Sequence, residues 1–260
     1  MTDRNARPRE LRQRIRDGER LIGTFLKARD PAVTETVAVA GYDFVVADLE
    51  HSPLSVSDVE GMTRACDCHD VPLIARIPAS GLALCGPLLD VGVAGIQVSD
   101  VTSAATAKAV RAAAHYPPAG SRSLSTATRA ARFGAVPAAA HVAAALAETV
   151  LIGQIESPQG LDAINQVMKS EVFDALFIGP SDLSATLEHP GELDHPSVTE
   201  AITRAADSVL GGGMPLGMFF PVVEAAQQWA RRGMTLLVIS TDLSMLGAAA
   251  RSALAVLREP

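Results

Sequence analysis

Short, unbroken apolar runs recur along this 260-residue chain, and a helix-forming interval separates almost every consecutive pair. The runs are Leu21–Lys27, Phe44–Asp48, Pro72–Arg76, Gly95–Val98, Val150–Glu156, Ala175–Ile178, Pro215–Phe219 and Leu236–Ser240. They do not alternate apolar with polar. Strands of that kind are buried on both faces, as in a parallel sheet covered by helices. Between them the pattern predicts helices at Ala32–Ala40, Ser57–His69, Leu82–Val91, Ser103–Ala114, Ala138–Glu148, Pro196–Leu210, Val222–Arg232 and Ser244–Leu257, with a short helical interval after Glu156. Ser57 and Glu60 have the spacing of a capping box. A charged helix, Pro8–Asp17, precedes the first strand and is expected to lie across one end of the domain.

One segment breaks the rhythm. Tyr116 to Pro137, with Pro117, Pro118, Gly120, Arg122, Arg129 and Arg132, forms an extended excursion after the fourth strand. Eight β–α units in this length predict an α/β fold, a closed (β/α)8 or TIM barrel. The expectation is one domain over residues 1–260, with residues 1–20 capping the barrel. A doubly wound open sheet is the alternative, but it would usually show fewer strands. No Gly-x-Gly-x-x-Gly or phosphate-loop motif opens a helix.

Composition narrows the partners. Apolar residues make up 48% and charged residues 20%, ordinary for a chain with a large core. A net charge of −7 argues against nucleic acid, which needs a basic surface. Arginines outnumber lysines 19 to 3, and guanidinium groups suit fixed recognition of carboxylates. Cys66, Cys68 and Cys85 have no metal-like spacing; with no signal-like N-terminus, they predict a reducing cytoplasm. No apolar run nears the ~20 residues needed to span a bilayer.

Barrel enzymes place their chemistry at the C-terminal strand ends. Those ends carry Lys27, Asp48 with Glu50 and His51, Arg76, Ser99 and Asp100, Gln154 and Glu156, Ser181 and Asp182, and Thr241 and Asp242. A strand-end acid is often only a helix N-cap, a role open to Asp182 and Asp242. Taken together, the set points to chemistry. Glu156 and Asp182 end neighbouring runs and would supply oxygen ligands to an octahedral cation: Mg2+ first, with Mn2+ or Co2+ as substitutes. An α-keto acid chelating that ion would have its enolate stabilised. Arg76 suits the oxyanion, His51 moves protons near neutral pH, and Asp48 three residues earlier is expected to orient the His51 ring.

Several motifs make the pattern specific: Asp48-Leu-Glu-His51, Arg76-Ile-Pro78, Leu89-Asp90-Val-Gly92, Tyr116-Pro-Pro-Ala-Gly-x-Arg122, Gln154-Ile-Glu156 and Gly179-Pro-Ser-Asp-Leu-Ser184. From about Gly23 onward, in this order, the chain resembles the HpcH/HpaI aldolase family, the class II metal-dependent pyruvate aldolases. The resemblance implies Glu156 and Asp182 as metal ligands, His51 with Asp48 as the acid–base pair, and Arg76 on the pyruvate oxygen. It implies that Gln154 and the backbone at Ser181 line the pyruvate site. Arg122 and Asp90 are expected to bind substrate, contributing across subunit contacts of a homo-oligomer, a trimer or a hexamer built from trimers. The implied reaction is reversible aldol cleavage of a 4-hydroxy-2-oxo acid to pyruvate and an aldehyde. Oxaloacetate decarboxylation, or biosynthetic carbon–carbon bond formation, would use the same enolate.

The chain departs from the family pattern at Phe25, Lys27, Asp100 and Ser123. These positions fall where the acceptor end of the substrate would lie, so Phe25, Lys27 and Asp100 are read as specificity residues; alternatively Lys27 and Asp100 pair with each other. Three rival readings remain: a Schiff-base aldolase using Lys27, a citramalyl-CoA-type lyase, and an inactive scaffold barrel.

Overall fold

The computed structural model describes residues 6–258, with side chains from 10 to 255. Residues 1–5 and 259–260 of the expected domain lie outside the described residues. Eight parallel strands close into a barrel in sequence order. They are β1 (Leu21–Leu26), β2 (Phe44–Asp48), β3 (Leu73–Ile77), β4 (Gly95–Val98), β5 (Val150–Ile155), β6 (Ala175–Ile178), β7 (Leu216–Phe220) and β8 (Leu236–Thr241). The helices are α1 (Ala6–Arg16), α2 (Pro31–Val39), α3 (Val56–Asp67), α4 (Cys85–Asp90), α5 (Ala104–Ala114), α6 (Ala138–Glu148), α7 (Pro158–Lys169), α8 (Pro180–Thr186), α9 (Pro196–Gly211), α10 (Val223–Arg231) and α11 (Asp242–Arg258). Among the described residues no helix is long and apolar enough to cross a membrane.

Two apolar layers follow from the strands having two buried faces. The outer layer joins the sheet to the helices. The inner one fills the barrel with Phe25, Phe44, Val46, Ile74, Ile152, Phe177 and Val238, and takes in Leu11 and Ile15 of α1. Both α1 residues are fully buried, worth about 2 kcal/mol each. Arg12 and Arg16 reach Asp174 just before β6, at 2.9 and 2.8 Å, and Asp174 also accepts the Leu151 N–H at 3.0 Å. The charged helix therefore plugs the N-terminal end of the barrel.

The same two-residue period lifts polar side chains over this interior at the other end. Val46, Ile74 and Ile152 face inward, so Asp48, Arg76 and Gln154, two positions on, face inward as well. Register sets Asp48 beside Arg76 and Arg76 beside Gln97.

Three local expectations are corrected. The capping box of α3 is Ser55 with Asp58, not Ser57 with Glu60: Asp58 accepts the Ser55 N–H at 2.7 Å. Ser55 is the residue held extended after the Pro53 turn, while Glu60 pairs with Arg64 one turn on. The helix expected over Leu82–Val91 is a 3-10 turn, Ala79–Leu84, followed by α4, because the chain leaves helical geometry at Gly81. The last helix starts at Asp242 rather than Ser244. Asp242 accepts N–H bonds from Lys27 at 3.0 Å, Ala28 at 2.9 Å and Leu243 at 2.7 Å, clamping the end of β1 to that of β8.

Candidate active site

At the centre of the barrel mouth, Asp48 organises the cations. Its carboxylate is fully enclosed and receives Arg76 Nε at 2.9 Å, Arg76 Nη2 at 2.7 Å and Lys27 Nζ at 3.0 Å. It also accepts the backbone N–H groups of Glu50 at 3.2 Å and His51 at 3.1 Å. Burial pushes its pKa up, but hydrogen bonds and charge from Arg76, the His51 amide and Lys27 outweigh burial and hold it at about 2. Arg76 also lies 4.3 Å above the Phe25 ring, so Phe25 is the platform that aims the guanidinium.

The expected ring contact between Asp48 and His51 is therefore absent. Asp48 Oδ1 already accepts the Arg76 Nε–H and the two backbone N–H groups, and Oδ2 faces the Arg76 and Lys27 cations. The 49–52 loop brings the His51 amide, rather than its ring, to Asp48. The ring swings out, with Nε2 3.7 Å from Asp182 Oδ2 and 3.9 Å from Glu50 Oε2. The Lys27–Asp100 pair is absent too, since Lys27 is drawn to Asp48 and Asp100 accepts Ser157 Oγ at 2.8 Å.

Glu156 forms the second half of the mouth. Only 6% exposed, it accepts the Asp100 N–H at 3.0 Å through one oxygen and the Gln154 side-chain amide through the other. Gln154 is in turn fixed by Gln97 Nε2 at 2.6 Å. Asp100 adopts left-handed backbone, φ 47°, and presents its N–H to the carboxylate. Burial pushes the Glu156 pKa up to about 7; the Gln154 hydrogen bond opposes this, and the charges of Glu50 and Asp182 reinforce it.

Asp182 lies in the first turn of α8 rather than at the strand end, and its side chain is 48% exposed. Gly179 makes the close approach possible. A Cβ there would fall 2.3 Å from Glu156 Oε2 and 2.8 Å from Gln154 Nε2.

A cleft of 180 Å3 joins these parts, walled by Phe25, Lys27, His51, Arg76, Gln154, Ser181 and Asp182. Phe177, Gly179, Pro180, Phe219 and Thr241 complete it. That volume suits a molecule of a few carbons, being below the usual drug-sized range. A larger recess of 490 Å3 lies at the opposite end, against Val93, Ala94 and Thr149, which precede their strands. Asp90 and Arg122 are not among the cleft walls. Arg122, 6% exposed, pairs with Asp90 and stacks 4.5 Å over Tyr116.

Sequence reasoning named Glu50 but gave it no role. Its Oε1 accepts Ser99 Oγ, while Oε2 is buried without a hydrogen-bond donor. The signal was its place between Asp48 and His51, two residues with assigned tasks. The donor set fits a divalent cation: four carboxylates (Asp48, Glu50, Glu156 and Asp182) stand against two cations (Arg76 and Lys27), and the space beside Glu156 is one that only glycine at 179 keeps open. Glu156 and Asp182 would hold the ion with oxygen ligands alone, as a hard cation prefers.

Residues 21–249 match the family model described as HpcH/HpaI aldolase/citrate lyase. The chain is 35% identical over 236 residues to a pyruvate aldolase from Rhizobium etli, covering 91% of this chain and 92% of that one. It is 34% identical to a hydroxypyruvate/pyruvate aldolase from Delftia acidovorans, over 91% of this chain and 87% of the other. A solved structure of an HpcH/HpaI aldolase/citrate lyase family protein from Burkholderia cenocepacia superposes with a TM-score of 0.91 at 32% identity, over 96% of this chain and all of that one.

Proposed function

We propose, for a chain that belongs to the HpcH/HpaI aldolase/citrate lyase family, a metal-dependent carbon–carbon lyase that reversibly cleaves a 4-hydroxy-2-oxo acid to pyruvate and an aldehyde. The observation that carries the proposal is the meeting of His51, Arg76 and Asp182 in one small cleft beside the buried Glu156. Glu156 and Asp182 would hold a divalent cation, which would supply positive charge to the enolate as it forms. Mg2+ is the first choice for such a donor set, with Mn2+ or Co2+ as substitutes.

The side chains then have separate tasks. His51 takes the proton of the 4-hydroxyl as the C3–C4 bond breaks and the aldehyde leaves. The electron pair of that bond passes into the enolate of pyruvate, and Arg76, which spends only two of its five N–H donors on Asp48, steadies the enolate oxygen. His51 returns the proton to C3. Gln154 and the Ser181 turn hold the oxo acid, and Phe25 with Lys27 meets the aldehyde. Asp100 acts through its backbone, by holding Glu156. The Schiff-base reading finds no support: the Lys27 ammonium is committed to Asp48 and to the His51 carbonyl at 3.3 Å, contacts that use N–H donors.

Assembly into homo-oligomers belongs to the same proposal. From Ala248 to Ala255, α11 is exposed throughout, and Leu243, Leu246 and Leu254 also stand open. Beside the β8–β1 seam an apolar groove of 550 Å3, lined by Ile22, Tyr42, Val223, Ala226, Leu237 and Ile239, remains uncovered. A second copy of the chain covers both, and the Arg122–Asp90 pair lies at a further contact. Three free cysteines support a reducing cytoplasm.

The test is release of pyruvate from a panel of 4-hydroxy-2-oxo acids and oxaloacetate, with solvent deuterium exchange into pyruvate, each with and without EDTA and added Mg2+, Mn2+ or Co2+. Exchange that requires metal is expected. Its absence with every ion, or indifference to EDTA, would sink the proposal.

A further inference from the structure

We propose a second metal site, remote from the barrel mouth, on the loop between α8 and α9. It consists of His189, Glu192 and His195 and takes a borderline divalent ion, Zn2+ first. The three residues are spaced by threes, and the loop runs as two successive turns. The Glu192 N–H donates to the His189 carbonyl and the His195 N–H to the Glu192 carbonyl, both at 3.0 Å. Each turn brings its first and fourth residues close, so the backbone hydrogen bonding itself draws the three groups near one another.

The side chains follow. The His189 and His195 rings lie face to face, centroids 3.4 Å apart and 19° from parallel. Glu192 Oε2 stands 3.9 Å from His189 Nδ1, and one ligand atom from each residue falls within 4.8 Å of the others. Bonds of about 2.0–2.2 Å to a tetrahedral ion require these atoms to close in by roughly 1 Å and the two stacked rings to turn out of parallel so that their in-plane lone pairs converge. The His195 ring has an outer partner: its Nδ1 lies 2.9 Å from Ser197 Oγ. The same Nδ1 accepts the Ser197 N–H at 3.4 Å as the N-cap of α9, so the ring is held in place at the start of that helix, and binding through Nε2 requires the proton to move to Nδ1, where the Ser197 hydroxyl can accept it.

The loop is also braced. His189 N–H donates to the Ser184 carbonyl at 2.8 Å, and Gly191 N–H to Ser184 Oγ at 3.0 Å. The Ser184 hydroxyl donates in turn to the Ser181 carbonyl at 2.6 Å. Glu188 and Gly191, at φ 66° and 81°, set the loop's bends. An ion bound here therefore stiffens the turn that carries Ser181 and Asp182 without touching substrate. Two imidazoles and one carboxylate select Zn2+, Co2+ or Ni2+ over Mg2+, whereas Glu156 and Asp182, the two ligands proposed at the mouth, offer oxygen alone.

The experiment is equilibrium dialysis of tag-free protein against Zn2+ with Mg2+ in large excess to occupy the all-oxygen site, followed by visible spectra with Co2+. The wild type is expected to retain one Zn2+ per chain. The H189Q/E192Q variant is expected to bind it more than about 100-fold more weakly, since losing even an outer partner costs 10–100-fold. E156Q is expected to keep this ion. Failure of the wild type to retain Zn2+ under Mg2+, or equal retention by the double variant, overturns the proposal. If the variant does not fold, Zn2+-soaked crystals of the wild type decide. An anomalous peak among the three side chains supports the site, and a peak elsewhere or none overturns it.

Discussion

Replacing Asp48 by Asn removes one charge and little else. The amide oxygen can still accept the Glu50 and His51 N–H groups, while Arg76 and Lys27 lose the anion between them. In the wild type the carboxyl is held at about 2, down from 3.8. For an acid whose folded pKa is depressed, the stabilisation is complete above the unfolded value and is lost as pH falls through the folded one. At ~1.4 kcal/mol per unit, the shift is worth about 2 kcal/mol at pH 7 and about 1 kcal/mol at pH 3. D48N is therefore expected to be less stable than wild type by at least about 2 kcal/mol at pH 7, with the gap roughly halved at pH 3. Urea unfolding at pH 7, 4 and 3, followed by fluorescence and circular dichroism together, measures it. A gap that stays constant with pH would refute the reasoning, because it would place the loss in packing rather than in the charge. The same variant should lose pyruvate exchange, since Arg76 is aimed by Asp48.

Other changes probe other parts of the mouth. Arg76→Lys keeps the charge but not the fork, and kcat should fall by about 10²–10³ with the fold intact by circular dichroism. Gly179→Ala drives a methyl into Glu156; a loss of about 1–3 kcal/mol in thermal unfolding and at least tenfold weaker Mg2+ binding by calorimetry are expected. Lys27→Met should lower the kcat/KM ratio of a carboxylate-bearing to a neutral aldehyde by about 10–100-fold, the worth of one hydrogen bond to a charged group. An unchanged ratio would remove Lys27 from acceptor recognition.

Periodicity alone made the barrel legible, because eight runs buried on both faces have few other arrangements. That Glu156 and Asp182 come near each other was legible from their place after adjacent runs. What the sequence hid was competition. Asp48 stands three residues before His51, and that spacing suited a ring contact, but register places Arg76 directly alongside and Lys27 reaches over from β1. Pairing across strands is non-local, so no local motif reports which partner wins. Gln97 was invisible for the same reason: its task is to hold Gln154, 57 positions away. The Ser55 cap was missed by two residues because two serines with acids three positions on compete there, and only the extended backbone at Ser55 decides between them.

The clamp made by Asp242 has a consequence for synthesis. It ties the backbone of Lys27 to a residue 215 positions later. As the chain emerges from the ribosome, Asp48, Arg76, Glu156 and Asp182 are all present before β8 exists, yet β1 has only one neighbour to pair with. Closure of so distant a seam comes late, because loop entropy must be met before the contact repays it. A nascent or C-terminally truncated chain therefore carries the reactive side chains without a closed mouth. The mouth closes only after β8 has been made.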